Sequence, residues 1–213
     1  MLRLSAQQPW AIGIIDGYFH SRMAVMHKEI LFAMNKGIRV YGAASMGALR
    51  AAELDNYGMI GVGDIYNSYR SGGRLEDDAV AVRHGPDAVG YPPLSIALVD
   101  VEATARSLLA RRRIEKPRYD AILAATQQLY YPERTWDRIA GAVTRNKAEA
   151  QKLSNIMRHG HVERKRLDAL ELLARIADDL RQPPAPPKPT PPPRTTMFRR
   201  AIERVTIGDA DDH

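Results

Sequence analysis

The spacing of apolar and polar residues changes along the chain, and the change divides it. Ala11–Ile15 is a short continuous apolar run closed by Asp16-Gly17, which predicts a buried strand stopping at a turn. Ser21 is placed to cap a helix through about Lys36, and Gly37 to end it. Ile38–Gly42 then reads as a second strand, and Met46–Leu54, rich in Ala, Leu and Glu, as a second helix. This alternation predicts parallel strands joined by right-handed crossovers. From about Glu102 to Leu180 the spacing becomes helical. Apolar residues recur every three or four positions through Leu108, Leu109 and Ile114, then Ile122, Leu123 and Leu129, then Leu167, Leu170, Leu173 and Ile176. Pro117 and Pro132 each stand where a helix can open. The pattern ends at Gln182. Eight of the fourteen prolines fall in residues 183–194, a composition that favours extended polyproline II and builds no core. A short amphipathic stretch, Met197–Ile207, and an acidic end follow. The expected fold class is α/β: a small parallel sheet with flanking helices over 1–115, a helical region over 116–182, and a disordered proline-rich tail over 183–213.

Composition narrows the chemistry. With 213 residues and 45% hydrophobic content the chain can bury a sizeable core. Cysteine is absent, which excludes disulfides, thiolate metal sites, iron–sulfur ligation and a cysteine nucleophile. No apolar run approaches the ~18–20 residues that span a bilayer, and Met1–Trp10 lacks a signal-peptide stretch. A cytoplasmic protein without a membrane partner is expected. The net charge of +6 is uneven: the first hundred residues hold nine basic and ten acidic side chains, so the surplus lies in the second half. Arg111, Arg112, Arg113, Lys116 and Arg118 form its densest cluster, which could attract an acidic surface but equally suits a solvated helix end. No nucleic-acid motif accompanies it, so no nucleic-acid partner is expected. His159 and His161 form an isolated pair, and Glu76, Asp77, Asp78 and His84 lack ligand spacing, so neither metal nor cofactor is expected.

The candidate chemistry gathers at the carboxyl ends of the two strands, where sites of parallel sheets lie. In Gly42-Ala43-Ala44-Ser45-Met46-Gly47-Ala48 a serine stands at a strand-to-helix turn among small residues. Its hydroxyl could act as a nucleophile, with the Met46 and Gly47 backbone N–H groups holding an oxyanion. The layout resembles a nucleophile elbow, although position 43 is alanine and the G-x-S-x-G spacing is not met. The alternative is that Ser45 merely caps the helix. A serine nucleophile needs a base. At ~100° per residue, Met23, Met26, Ile30, Leu31, Ala33 and Met34 share an apolar arc. Glu29 and Lys36 lie opposite it, and Lys28 lies on its border. Lys36 is also ~12 Å further down the helix, away from the serine. Lys28 is therefore the better-placed base, while His27 falls inside the arc, as either a second candidate or a core histidine. Asp16 ends the first strand at the same rim, where it could orient Lys28 or shape the Asp-Gly turn.

At these residues the sequence resembles the TfuA-like family. The matching stretches are AIGIIDGYF (11–19), HKEIL (27–31), GAASMGALRAAEL (42–54), YGMIGVGDIYNSYRSG (57–72), LEDDAVAVRHGP (75–86) and YPPLSIALVDV (91–101). The resemblance implies a partner of a YcaO enzyme, which installs thioamides in a peptide backbone. It also implies a hydrolase that releases sulfide from a thiocarboxylated ubiquitin-like carrier similar to ThiS. Carried over by motif, the Ser–Lys pair is Ser45 and Lys28, with Asp16, His27 and Arg50 supporting it. The resemblance implies a strand and a Gly-Pro-containing loop upstream, whereas this sequence starts close to the IDG strand; the expectation is either a displaced start or a sheet without that edge. Two other readings stand beside this one: a non-catalytic adaptor that docks YcaO and its peptide substrate, and a phosphate-binding α/β module.

Overall fold

The computed structural model describes residues 1–17, 25–74 and 76–185. Ser21, Met23 and the stretch Met197–Ile207 lie outside the described residues. The chain forms two compact units, Met1–Arg74 with the segment from Leu167 onward, and Leu75–Arg166.

In the first unit a short helix α1 (Leu2–Ala6) precedes β1 (Ala11–Ile14), α2 (His27–Asn35), β2 (Arg39–Gly42), α3 (Met46–Leu54), β3 (Ile60–Gly61) and α4 (Gly63–Arg70). The strands form a parallel sheet in the order β1-β2-β3, with Ala11 opposite Arg39 and Tyr41 opposite Ile60. The expected strand–helix–strand–helix order is present. The first helix begins later than its apolar arc suggested, because Met26 is extended and Glu29 closes the helix start by accepting the Met26 N–H at 3.0 Å.

Alternation along the strands gives the sheet two apolar faces. Ile12, Ile14 and Val40 pack with Ile30, Ala33 and Met34 of α2 and with Ala51 and Leu54 of α3. Tyr41 joins Val62 and Leu172 on the other face, where α9 (Arg164–Arg181) lies across the sheet. Gly13 makes this approach possible: a Cβ there would stand 3.0 Å from Leu172 and 3.1 Å from Ile176. The expected stripe of α9 is corrected here. Leu167, Leu170 and Leu173 are exposed, and the buried positions are Asp168 and Leu172. Asp168 accepts the Asp64 and Ile65 N–H groups at 3.2 and 2.8 Å, capping α4 from about a hundred residues away.

Tyr41 is fully buried, and its hydroxyl donates to Asp179 at 2.8 Å. Burial first, then the bond and charge of Asp179, push the Tyr41 hydroxyl up from 10.0 to about 12. Burial alone would raise Asp179, but bonds from Tyr41 and Arg175 hold it below its ordinary value. A raised tyrosine favours folding while protonated, so this contribution is intact below pH 10 and disappears as pH rises from 10 towards 12. We expect wild type to lose on the order of 1–3 kcal/mol more than Tyr41→Phe over that interval, measured by denaturant unfolding. Parallel losses in the two proteins would refute it.

The second unit is helical: α5 (Leu98–Ala110), α6 (Lys116–Gln128), α7 (Trp136–Val143) and α8 (Lys147–His159). Its core includes Val101, Leu108, Ile122, Trp136, Ile139 and Met157. Pro117 lies in the first turn of α6 as expected, whereas Pro132 sits in a separate 3-10 turn and α7 starts under a Thr135 cap. Asp78 is structural, binding the buried Arg134 guanidinium at 2.8 Å through its carboxylate and 2.9 Å through its carbonyl.

Candidate active site

The turn between β2 and α3 is tight because its residues are small. Ala44 adopts φ +68°, a left-handed conformation that strains a residue carrying a Cβ. Gly42 and Gly47 face each other, and a Cβ on Gly42 would stand 2.1 Å from the Gly47 carbonyl oxygen. A Cβ on Gly47 would stand 1.8 Å from the Ile14 carbonyl oxygen, so α3 rests directly on the end of β1. The extension of β1 fixes the turn further, since the Ile15 carbonyl accepts from the Ser45 N–H at 3.0 Å and from the Gly47 N–H at 3.4 Å.

Ser45 occupies the N-cap position, yet its hydroxyl makes no capping bond. The side chain is 0% exposed, and its Oγ has no hydrogen-bond partner among the described residues. An unpaired buried hydroxyl costs about 1–3 kcal/mol, so a fold that keeps one there retains an unfavourable group. Beside it, the Met46 N–H has no acceptor among the described residues. Gly47 differs from its expected role as a second oxyanion donor, because its N–H is already held by Ile15. The turn thus presents one hydroxyl and one backbone donor at the positive end of α3.

Asp16 stands at the same rim. Its Oδ1 accepts the Gly17 N–H at 2.8 Å, shaping the Asp-Gly turn, and a Cβ on Gly17 would lie 3.2 Å from Met46. His27 departs from the expectation of a core histidine. Its side chain is 46% exposed and pairs with Glu53 at 2.6 Å. Arg50 binds Glu53 at 2.7 Å and the Val25 carbonyl at 2.9 Å. Together these residues clamp the start of α2 to α3, so Arg50 and His27 hold the two helices together. Glu53, the centre of the clamp, escaped sequence reading because only its partners mark it out. It lies eight residues beyond Ser45, about 12 Å along the helix axis. Lys28 is half-buried in the same first turn of α2.

The family model for TfuA-like proteins matches residues 16–135, taking in Asp16, Lys28, Ser45 and the whole α3 turn. The chain belongs to the TfuA-like family. That family is associated with YcaO enzymes and with thioamidation. No curated protein matches the chain. The match of this TfuA-like protein ends before α7, so α7, α8 and α9 carry features the family model does not cover. No helix among its described residues is long and apolar enough to cross a membrane.

Proposed function

We propose that this TfuA-like protein hydrolyses the thiocarboxylated C-terminus of a ubiquitin-like sulfur carrier of the ThiS type, supplying sulfide for YcaO-dependent thioamidation of a peptide. One observation carries the reading: the Ser45 hydroxyl and the adjacent Met46 N–H at the start of α3, neither with a hydrogen-bond partner among the described residues. The Lys28 amine takes the Ser45 proton, and Oγ attacks the thiocarboxylate carbon while the Met46 N–H stabilises the oxyanion. The carbon–sulfur bond then breaks, and sulfur leaves as hydrosulfide with the proton returned by Lys28. Water cleaves the resulting acyl ester, giving a carrier carboxylate and regenerating Ser45. A chain without cysteine suits this route, since sulfur never becomes bonded to the protein.

The complete burial of Ser45 favours a second reading, an adaptor that docks YcaO and its peptide without chemistry of its own. Sulfide release from a thiocarboxylated ThiS-like carrier, measured with purified protein, separates the two. Release faster than from carrier alone supports the hydrolase. No acceleration, with thioamidation by YcaO still stimulated, establishes the adaptor.

The base assignment has its own comparison. Lys28→Met should slow release by roughly 10²-fold or more. Lys36→Met should leave it nearly unchanged, because Lys36 lies at the other end of α2, its ammonium 4.9 Å from the Phe32 ring centre. Equal effects of the two substitutions would remove Lys28 from the mechanism.

A further inference from the structure

The basic cluster noted in the sequence divides in the second unit. Lys116 turns to Asp120 on its own helix. Arg111 and Arg113, in the turn after α5, instead line an open groove that Lys152 and His159 of α8 also border. The groove has a volume of about 830 Å³, and none of the described residues that line it is acidic. Arg111, Arg113 and Lys152 are exposed and form no ion pair among the described residues. Neighbouring cations behave differently: Arg158 pairs with Asp137 at 3.2 Å and Arg134 with Asp78 at 2.8 Å. A position at the end of α5 suits Arg111 through the helix dipole. That cause does not extend to Lys152, which comes from the middle of α8 and brings its charge to the same groove.

We propose that this groove docks an acidic, extended peptide segment of a partner protein. Charge complementarity defines the occupant. Two guanidinium groups offer paired donors to carboxylates, and a lysine adds a third positive charge. The floor is aliphatic, with Leu108 nearly buried and Ile156 half-buried, so a segment mixing Asp or Glu with aliphatic residues fits both floor and rim. Single-stranded nucleic acid fits less well, because no Phe, Tyr or Trp ring is among the described residues that line the groove, and the His159 imidazole is already tied to the Asn155 carbonyl at 2.7 Å.

The test uses the full chain and a fluorescein-labelled peptide of alternating glutamate and leucine, followed by fluorescence anisotropy, with oligo-dT as the competing probe. Wild type should bind the peptide, more weakly as salt rises. Arg111→Glu with Lys152→Glu should weaken binding roughly tenfold or more, and the milder Arg111→Gln with Lys152→Gln should give a smaller loss. Arg3→Glu with Lys36→Glu makes the same change in net charge on exposed positions of the first unit and should leave affinity within roughly twofold. Equal losses in the two Glu pairs would show that net charge alone attracts the peptide. That result would overturn the proposal, as would absent peptide binding or tighter binding of oligo-dT.

Discussion

Ser45→Ala is expected to abolish sulfide release while leaving the protein as stable as wild type or more so. Loss of a nucleophile typically removes roughly 10³-fold or more of the rate. The stability half of the expectation comes from the hydroxyl's surroundings. A serine that caps a helix normally contributes about 0.5–2 kcal/mol, which alanine forfeits. Ser45 makes no capping bond and its Oγ is buried with no partner among the described residues, so there is no such contribution to lose. Alanine instead removes an unsatisfied group worth about 1–3 kcal/mol of penalty. A substitution that raises stability and removes activity is the signature of a group retained for chemistry. Sulfide release and thermal unfolding of the same purified variant decide the matter. A destabilised variant that still releases sulfide would mark Ser45 as an ordinary cap.

The parts of this fold that sequence made legible are those decided locally. Ala11–Ile14 and Arg39–Gly42 are strands close to where a continuous apolar run meets Gly or Asp-Gly, and α3 covers the Met46–Leu54 stretch read from its composition. The start of α2 was less visible because its cap is unconventional: Met26 has no capping oxygen, and closure comes from the Glu29 side chain. β3 has two residues, too few for any period to show. α4 begins at Val62-Gly63, with no local capping side chain, and takes its cap from Asp168. The helical period of α9 announced a helix but not its buried side, which is set by Gly13 and the sheet face opposite it. At the site the same rule holds. The serine and its turn were readable from neighbouring residues, whereas the His27–Glu53–Arg50 clamp joins positions some twenty-five apart and appeared only with the fold.

Gly47→Ala should do the opposite of Ser45→Ala, destabilising the first unit and silencing the site together. The added Cβ would meet the Ile14 carbonyl oxygen at 1.8 Å, its carbon at 2.6 Å and the Ile15 nitrogen at 3.2 Å. All three are backbone atoms, so no side-chain rotation relieves the overlap, and α3 has to lift from the end of β1. Lifting stretches the bonds that the Ile15 carbonyl accepts from Ser45 and Gly47, at 3.0 and 3.4 Å. Overpacking of this kind with loss of buried backbone bonds costs about 3 kcal/mol or more. The Met46 N–H and Ser45 Oγ move with the helix, so sulfide release should fall even in the fraction that stays folded. Gly73→Ala is the matched control in the same unit, since a Cβ there finds its nearest neighbour at an ordinary 3.4 Å. Its stability should stay within about 0.5 kcal/mol of wild type. Denaturant unfolding of both variants settles the point. If Gly47→Ala matched Gly73→Ala in stability, α3 could not be seated on β1 as closely as the turn requires. The small residues around Ser45 would then need another explanation than close approach of helix and strand.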